Sequence, residues 1–218
     1  MRGRDYRKSA NEVGNPSFRK LLISVHGITT TGAWQKQINV ELQEAAILHD
    51  PVDYGFALPG IIRKKKADKV AAHIAERYEH LRIRQPNVPF VAIGHSFGTL
   101  TIGCALQTVP ELKFQRIILY ASILSRKFPW TTIANRGQVL KVLNETCKSD
   151  LWPKCAYVGV RGPTGASGCH GFKDAAGTVV HSREYQWSGH SGLGTPAHCR
   201  EVWIPFILNG RIPRVAGS

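Results

Sequence analysis

Nowhere does the 218-residue chain hold a run of about 18 apolar residues, the least that a membrane-spanning helix needs. Its start, Met1 to Lys20, carries Arg2, Arg4, Arg7, Lys8, Arg19 and Lys20 but no apolar segment. A secretory signal is therefore not expected there, and the chain as it stands reads as cytosolic. Acidic residues are scarce, 15 against 29 Lys and Arg, for a net charge of +14. Such a balance favours anionic partners and speaks to encounter rather than to fold. The cations are scattered, apart from the N-terminal arm and Arg63-Lys64-Lys65-Lys66, and no zinc finger, RNP-type strand or basic heptad accompanies them. Nucleic acid is accordingly not the expected partner. Cys104, Cys147, Cys155, Cys169 and Cys199 form no CxxC pair, and an odd count without a leader reads as mostly reduced thiols. Internal repeats are missing too. What remains, 43% apolar and 20% charged residues, is the composition of one soluble globular domain.

Apolar runs alternate with helical spacing along that domain. Leu21 to Val25, Pro89 to Ile93 and Arg116 to Ala121 read as buried strands, as do Gln138 to Leu143 and Thr178 to Tyr185. A further strand is expected over Asp53 to Ala57. Trp34, Ile38, Leu42 and Ala45 predict one amphipathic helix. Val70, Ile74, Tyr78 and Leu81 predict another, starting near Asp68, and Phe97 to Gln107 a third. Pro196 to Leu208 fits a closing helix that Pro205 should bend or end. Strands that alternate with helices imply a parallel sheet covered on both faces, a three-layer α/β/α sandwich. Residues 159–177, rich in glycine, are expected to be an irregular loop, either a linker or a wall of a site.

Gly94-His95-Ser96-Phe97-Gly98 fits G-x-S-x-G, and its setting between a buried strand and a helix is that of a nucleophile elbow. A serine hydroxyl needs a base and an orienting acid, in the chain order Ser, acid, His. His190, flanked by Gly189 and Gly192 beyond the last strand, is the chosen base. His95 is expected to point away from the turn, and His26, His170, His181 and His198 lie on other elements. Asp150, beyond the Gln138–Leu143 strand, is the favoured acid, with Glu145 and Asp174 as alternatives. His26-Gly27-Ile28-Thr29 ends the first strand. The backbone N–H groups of Ile28 and Phe97 are the expected oxyanion donors, and His26, Thr29 and Trp187 the candidate substrate contacts.

Together the elbow, the His-Gly loop and the order Ser96, Asp150, His190 resemble the α/β-hydrolase superfamily. Val25-His26-Gly27-Ile28, Thr31-Gly32 and Trp34 are similar to the HGI-x-T-x-G-x-W signature of a bacterial branch of it. The same branch carries counterparts of Phe128-Pro129-Trp130, Asp150 to Pro153, Gly171-Phe172 and Gly189 to Ser191. The resemblance covers about residues 20–208. It implies a serine esterase or lipase-like enzyme that needs no metal or cofactor; the same machinery suits a thioester or amide, and the Arg63 to Lys66 cations suggest a lipid or lysophospholipid substrate as an alternative. A non-catalytic module on the same fold would be marked by a missing triad member, and none is missing. Two departures from the family pattern follow. The sheet has room for only about six strands, and the segment around Phe128 is too short for a full cap domain. Residues 1–19 are assigned to a basic arm, 20–210 to the catalytic domain and 211–218 to a tail. Arg63 to Lys66 should emerge on the edge that bears the triad, where it could hold an anionic lipid surface.

Overall fold

The computed structural model describes residues 17–27, 32–55, 64–150, 165–173, 179–186 and 190–213. Six strands form one all-parallel sheet: β1 (Lys20–Val25), β2 (Ile47–Val52), β3 (Phe90–His95), β4 (Phe114–Tyr120), β5 (Val139–Cys147) and β6 (Val180–Tyr185). Their order across the sheet is β2-β1-β3-β4-β5-β6. Among the described residues the helices are α1 (Ala33–Gln37), α2 (Asn39–Glu44), α3 (Lys64–Arg84), α4 (Phe97–Thr108), α5 (Trp130–Asn135) and α6 (Ser167–His170). A closing segment follows as α7 (Pro196–His198), a π-helical turn (Cys199–Trp203) and α8 (Ile204–Asn209). Of the expected arm and tail, residues 1–16 and 214–218 lie outside the described residues.

Alternation along the strands sorts the core into two layers. Leu21, Ile23, Val25, Ala92, Ile117, Leu119 and Val142 face one way, onto Val70 and Ile74 of α3, Ile102 of α4 and Trp130 of α5. Leu22, Val91, Ile93, Ile118 and Leu143 face the other, onto Trp34, Ile38, Leu42, Trp203 and Phe206. The neighbouring strands β1 and β3 are buried at every position, which is why they read as unbroken apolar runs.

Several boundaries differ from those the sequence suggests. The second strand is Ile47–Val52 and not Asp53 to Ala57. Ala46, at φ 55°, turns the chain straight from α2 into the sheet, and Pro51 is tolerated because β2 is an edge. The expected single helix over Trp34 to Ala45 is two, separated at Ile38. Helix α3 begins at Lys64, ahead of Asp68. Strand β5 runs four residues past Leu143, to Cys147. Within the glycine-rich segment, α6 packs so closely on residues 121–125 that a Cβ at Gly168 would overlap the backbone of Ala121 and Ser122. Its described residues, 165–173, are therefore built, not merely irregular. Pro205 does not end the closing helix, which runs on to Asn209. It lacks the N–H that Glu201 would receive, and the wide π-helical turn just before it absorbs the loss.

Candidate active site

Ser96 sits between the last residue of β3 and the first of α4, with φ 51° and ψ −116°. A non-glycine residue holds that conformation at a cost of about 1–3 kcal/mol, and only when its surroundings impose it. Here they do. The Ser96 N–H donates to the Tyr120 carbonyl (3.1 Å), and its own carbonyl accepts from the Thr99 N–H (3.0 Å) and the Thr99 hydroxyl (2.6 Å). The two flanking glycines permit the turn. A Cβ at Gly94 would stand 3.0 Å from the Thr99 backbone, and one at Gly98 would overlap the Val25 carbonyl. Gly98→Ala is thus expected to lower stability by about 1–3 kcal/mol, because a strand backbone has no rotamer by which to yield. Equal urea midpoints for that variant and the wild type would contradict this.

Asp150 lies three residues beyond β5, its N–H bonded to the Cys147 carbonyl at 3.2 Å and its own carbonyl taking the Cys169 thiol at 2.9 Å. Its carboxylate Oδ2 is 2.9 Å from Nδ1 of His190. A carboxylate oxygen accepts, so Nδ1 carries a proton, and in the neutral ring Nε2 is then the nitrogen with the lone pair. The Asp150 side chain is 3% exposed and that of His190 16%. The carboxylate is thus sealed, while the imidazole is reachable.

Glu145, the alternative acid, is engaged elsewhere. Its carboxylate accepts from the Tyr185 hydroxyl (2.8 Å), His198 Nε2 (2.9 Å) and Trp203 Nε1 (2.8 Å), pinning the closing helix to β5. Asp174, Ile28, Thr29 and Trp187 lie outside the described residues. Phe97 is fully buried at the first position of α4, where a helix leaves its N–H groups without partners inside the helix. His26 is also fully buried. Its Nδ1 donates to the Gly27 carbonyl (2.7 Å), and its ring stacks on Tyr54 at 4.3 Å. The Tyr54 hydroxyl in turn donates to the His26 carbonyl (2.7 Å). Gly27 lies against the elbow, for a Cβ there would come within 3.1 Å of the Ser96 Cβ.

Of the cationic run, Arg63 is outside the described residues. Lys65 is exposed, while the Lys66 ammonium lies 5.3 Å over the Tyr54 ring. His95, not expected to be the base, is fully buried, with Nε2 2.9 Å from the His190 carbonyl.

Burial pushes His95 down to about 3, with His190 adding to the effect, and His49 down to about 4. Asp150, His26 and His190 face His95; Asp50 faces His49, which is hydrogen-bonded to Ser24 and Asn39. A base lowered by folding is protonated first in the unfolded chain. From about pH 6.5 downward the unfolded state therefore binds more protons, and stability falls as the solution is acidified. The slope contributed by both groups together approaches about 2.7 kcal/mol per pH unit. Urea midpoints measured at about pH 7 and about pH 5 should show that loss, and unchanged midpoints would contradict it.

No protein-family model and no curated protein sequence matches the chain. Solved structures do resemble it. The Francisella virulence factor BioJ superposes with a TM-score of 0.60 at 14% identity, over 90% of this chain and 79% of that one. A putative alpha/beta hydrolase of unknown function from Agrobacterium tumefaciens gives 0.57 at 14% identity, over 90% and 89%. A hyperthermophilic esterase from the archaeon Pyrobaculum calidifontis gives 0.55 at 12% identity, over 90% and 78%. A six-stranded parallel sheet in this order, helices on both faces and this set of likenesses place the chain in the fold of the α/β hydrolases.

Proposed function

We propose that the chain is a serine hydrolase that cleaves carboxylic esters through an acyl-enzyme, with Ser96, His190 and Asp150 as its triad. One observation carries the reading. The strained turn at Ser96 and the His190–Asp150 pair at 2.9 Å stand on the same edge of the sheet, joined through His95. The likeness to a solved esterase supports it. In the reaction Ser96 Oγ attacks the acyl carbon while His190 Nε2 takes the hydroxyl proton. The oxyanion that forms is held by the N–H groups of Phe97 and Ile28, each such donor being worth about 2.7–4 kcal/mol. His190 then gives its proton to the leaving alcohol. Water repeats the cycle on the acyl-enzyme and frees the acid and Ser96. Asp150 keeps the imidazole in the right tautomer and offsets its charge. His26, locked by Tyr54, fixes the end of the strand that leads to Ile28.

Residues 20–210 are the proposed catalytic unit. Thioesters fit the same machinery. A lipid substrate gains support from Lys65, Lys66 and Lys69, which line one depression with Tyr54. Each cation near an anionic bilayer is worth about 1 kcal/mol. Among the described residues no helix is long and apolar enough to cross a membrane, so contact would be at the surface.

Release of p-nitrophenol from acetate, butyrate, octanoate and palmitate esters tests the enzyme reading, alongside fluorophosphonate labelling. Turnover together with labelling at Ser96 is the expected result. Inert esters and an unlabelled Ser96 would turn the reading towards a binding module. Neutralising Arg63 to Lys66 should weaken binding to anionic vesicles, and unchanged binding would remove the lipid reading.

A further inference from the structure

His95 closes β3 and shares the face of Val91 and Ile93, opposite α4. Its Nε2 lies 2.9 Å from the His190 carbonyl oxygen. A carbonyl only accepts, so Nε2 bears the hydrogen and Nδ1 the lone pair. Nδ1 faces Gly27, where a Cβ would come within 2.9 Å of it. The ring stacks on Tyr120, with centroids 4.5 Å apart and planes 25° apart, and stands 5.0 Å from the His190 ring. Tyr120 is itself wedged against Trp34 at 5.5 Å and Trp203 at 5.3 Å. The imidazole cannot swing away without disturbing this column. Burial pushes it down to about 3, so it stays neutral and adds no second charge beside an imidazolium at His190.

The segment that carries His190 contains Gly189, Gly192 and Gly194, whose backbones are the least constrained of all residues. The bond from Nδ1 to Asp150 fixes one edge of the ring but leaves the backbone behind it to drift. We infer that His95 is a positioning residue for the base: its Nε2–H holds the His190 carbonyl, and this anchor, with Asp150, sets where His190 Nε2 stands over Ser96. The inference rests on the serine-hydrolase reading. It ties the residue before the nucleophile to the base some ninety-five positions later, so that the elbow itself orients its own proton acceptor.

Two variants separate the hydrogen bond from the packing. His95→Phe keeps a ring on Tyr120 and removes the donor, whereas His95→Gln returns an N–H near the place of Nε2. The readouts are kcat and KM on p-nitrophenyl butyrate, the rate of fluorophosphonate labelling at Ser96, and the melting temperature. His95→Phe should lower kcat and the labelling rate by roughly 10- to 100-fold, the loss that an ångström-scale misplacement brings, with KM within about twofold. His95→Gln should recover most of both rates. Wild-type rates in the Phe variant, or equal losses in the two variants, would overturn the inference. If His95→Phe does not fold, NMR of histidine-labelled wild type decides by the tautomer: a proton on His95 Nε2 supports the anchor, and one on Nδ1 overturns it. A wild type that fluorophosphonate does not label at Ser96 overturns both this inference and the reading beneath it. Labelling that Ser96→Ala abolishes leaves that reading standing, with only His95 at issue.

Discussion

On the proposed triad, Ser96→Ala is expected to lower ester turnover by roughly 10⁴- to 10⁶-fold, the scale on which losing a nucleophile is felt. The residual rate expected is that of the proposed oxyanion donors and of binding, which the substitution leaves in place. Protein stability should change little, because alanine meets the same φ of 51° that serine does and the backbone bonds to Tyr120 and Thr99 are untouched. Ser96→Gly makes the contrasting case. Glycine occupies that region of backbone space without penalty, so this variant should be as inactive yet more stable by up to about 1–3 kcal/mol. The pair reads out, on one residue, how much strain the elbow stores to present its hydroxyl. A catalytically intact Ser96→Ala protein would end the triad reading at once, whatever its melting temperature.

Asp150→Asn and Glu145→Gln are expected to fail in opposite ways. At Asp150 an amide can donate to His190 Nδ1, which drives the proton onto Nε2 and takes the base away. A loss of about 10⁴-fold in kcat is expected, with the fold intact. At Glu145 the carboxylate serves the Tyr185 hydroxyl, His198 Nε2 and Trp203 Nε1. A glutamine has one acceptor oxygen where the carboxylate has two. Each donor then left unsatisfied costs about 1–3 kcal/mol, so denaturant midpoints should drop while kcat, measured well below the melt, changes little. The reverse pattern would make Glu145 the acid and Asp150 a structural residue.

That contrast also marks the limit of what the sequence makes legible. Both carboxylates follow the same apolar run, and only the length of β5 separates them. The chain stays extended as far as Cys147, so Glu145 lies inside the strand and Asp150 just past it. The polar residues Asn144, Glu145 and Thr146 hide that extension, since they are buried on hydrogen bonds and not on apolar packing. The central strands were readable because both their faces are covered. Strand β2 was not, because Ile47-Leu48-His49-Asp50-Pro51-Val52 is an edge with polar and proline positions. The division between α1 and α2 escaped because Trp34, Ile38 and Leu42 stay in phase across it. The elbow was legible in full. The place of His95 follows from a simple rule: side chains alternate along β3, so it shares the face of Ile93, towards which the closing helix packs.

The closing helix has a consequence for how the chain is made. Leu22, Val91, Ile93, Ile118 and Leu143 lie on a face whose cover includes Cys199, Val202, Trp203, Phe206 and Ile207. Those cover residues come after every strand of the sheet in sequence. A ribosome therefore delivers all six strands before it delivers the lid of that layer. Until then the nascent product bears an open apolar surface, the condition under which partly synthesised domains adhere to one another or to chaperones. Translation halted ahead of Cys199 would release a sticky polypeptide, whereas a stop just past Asn209 would release one whose surface is already closed.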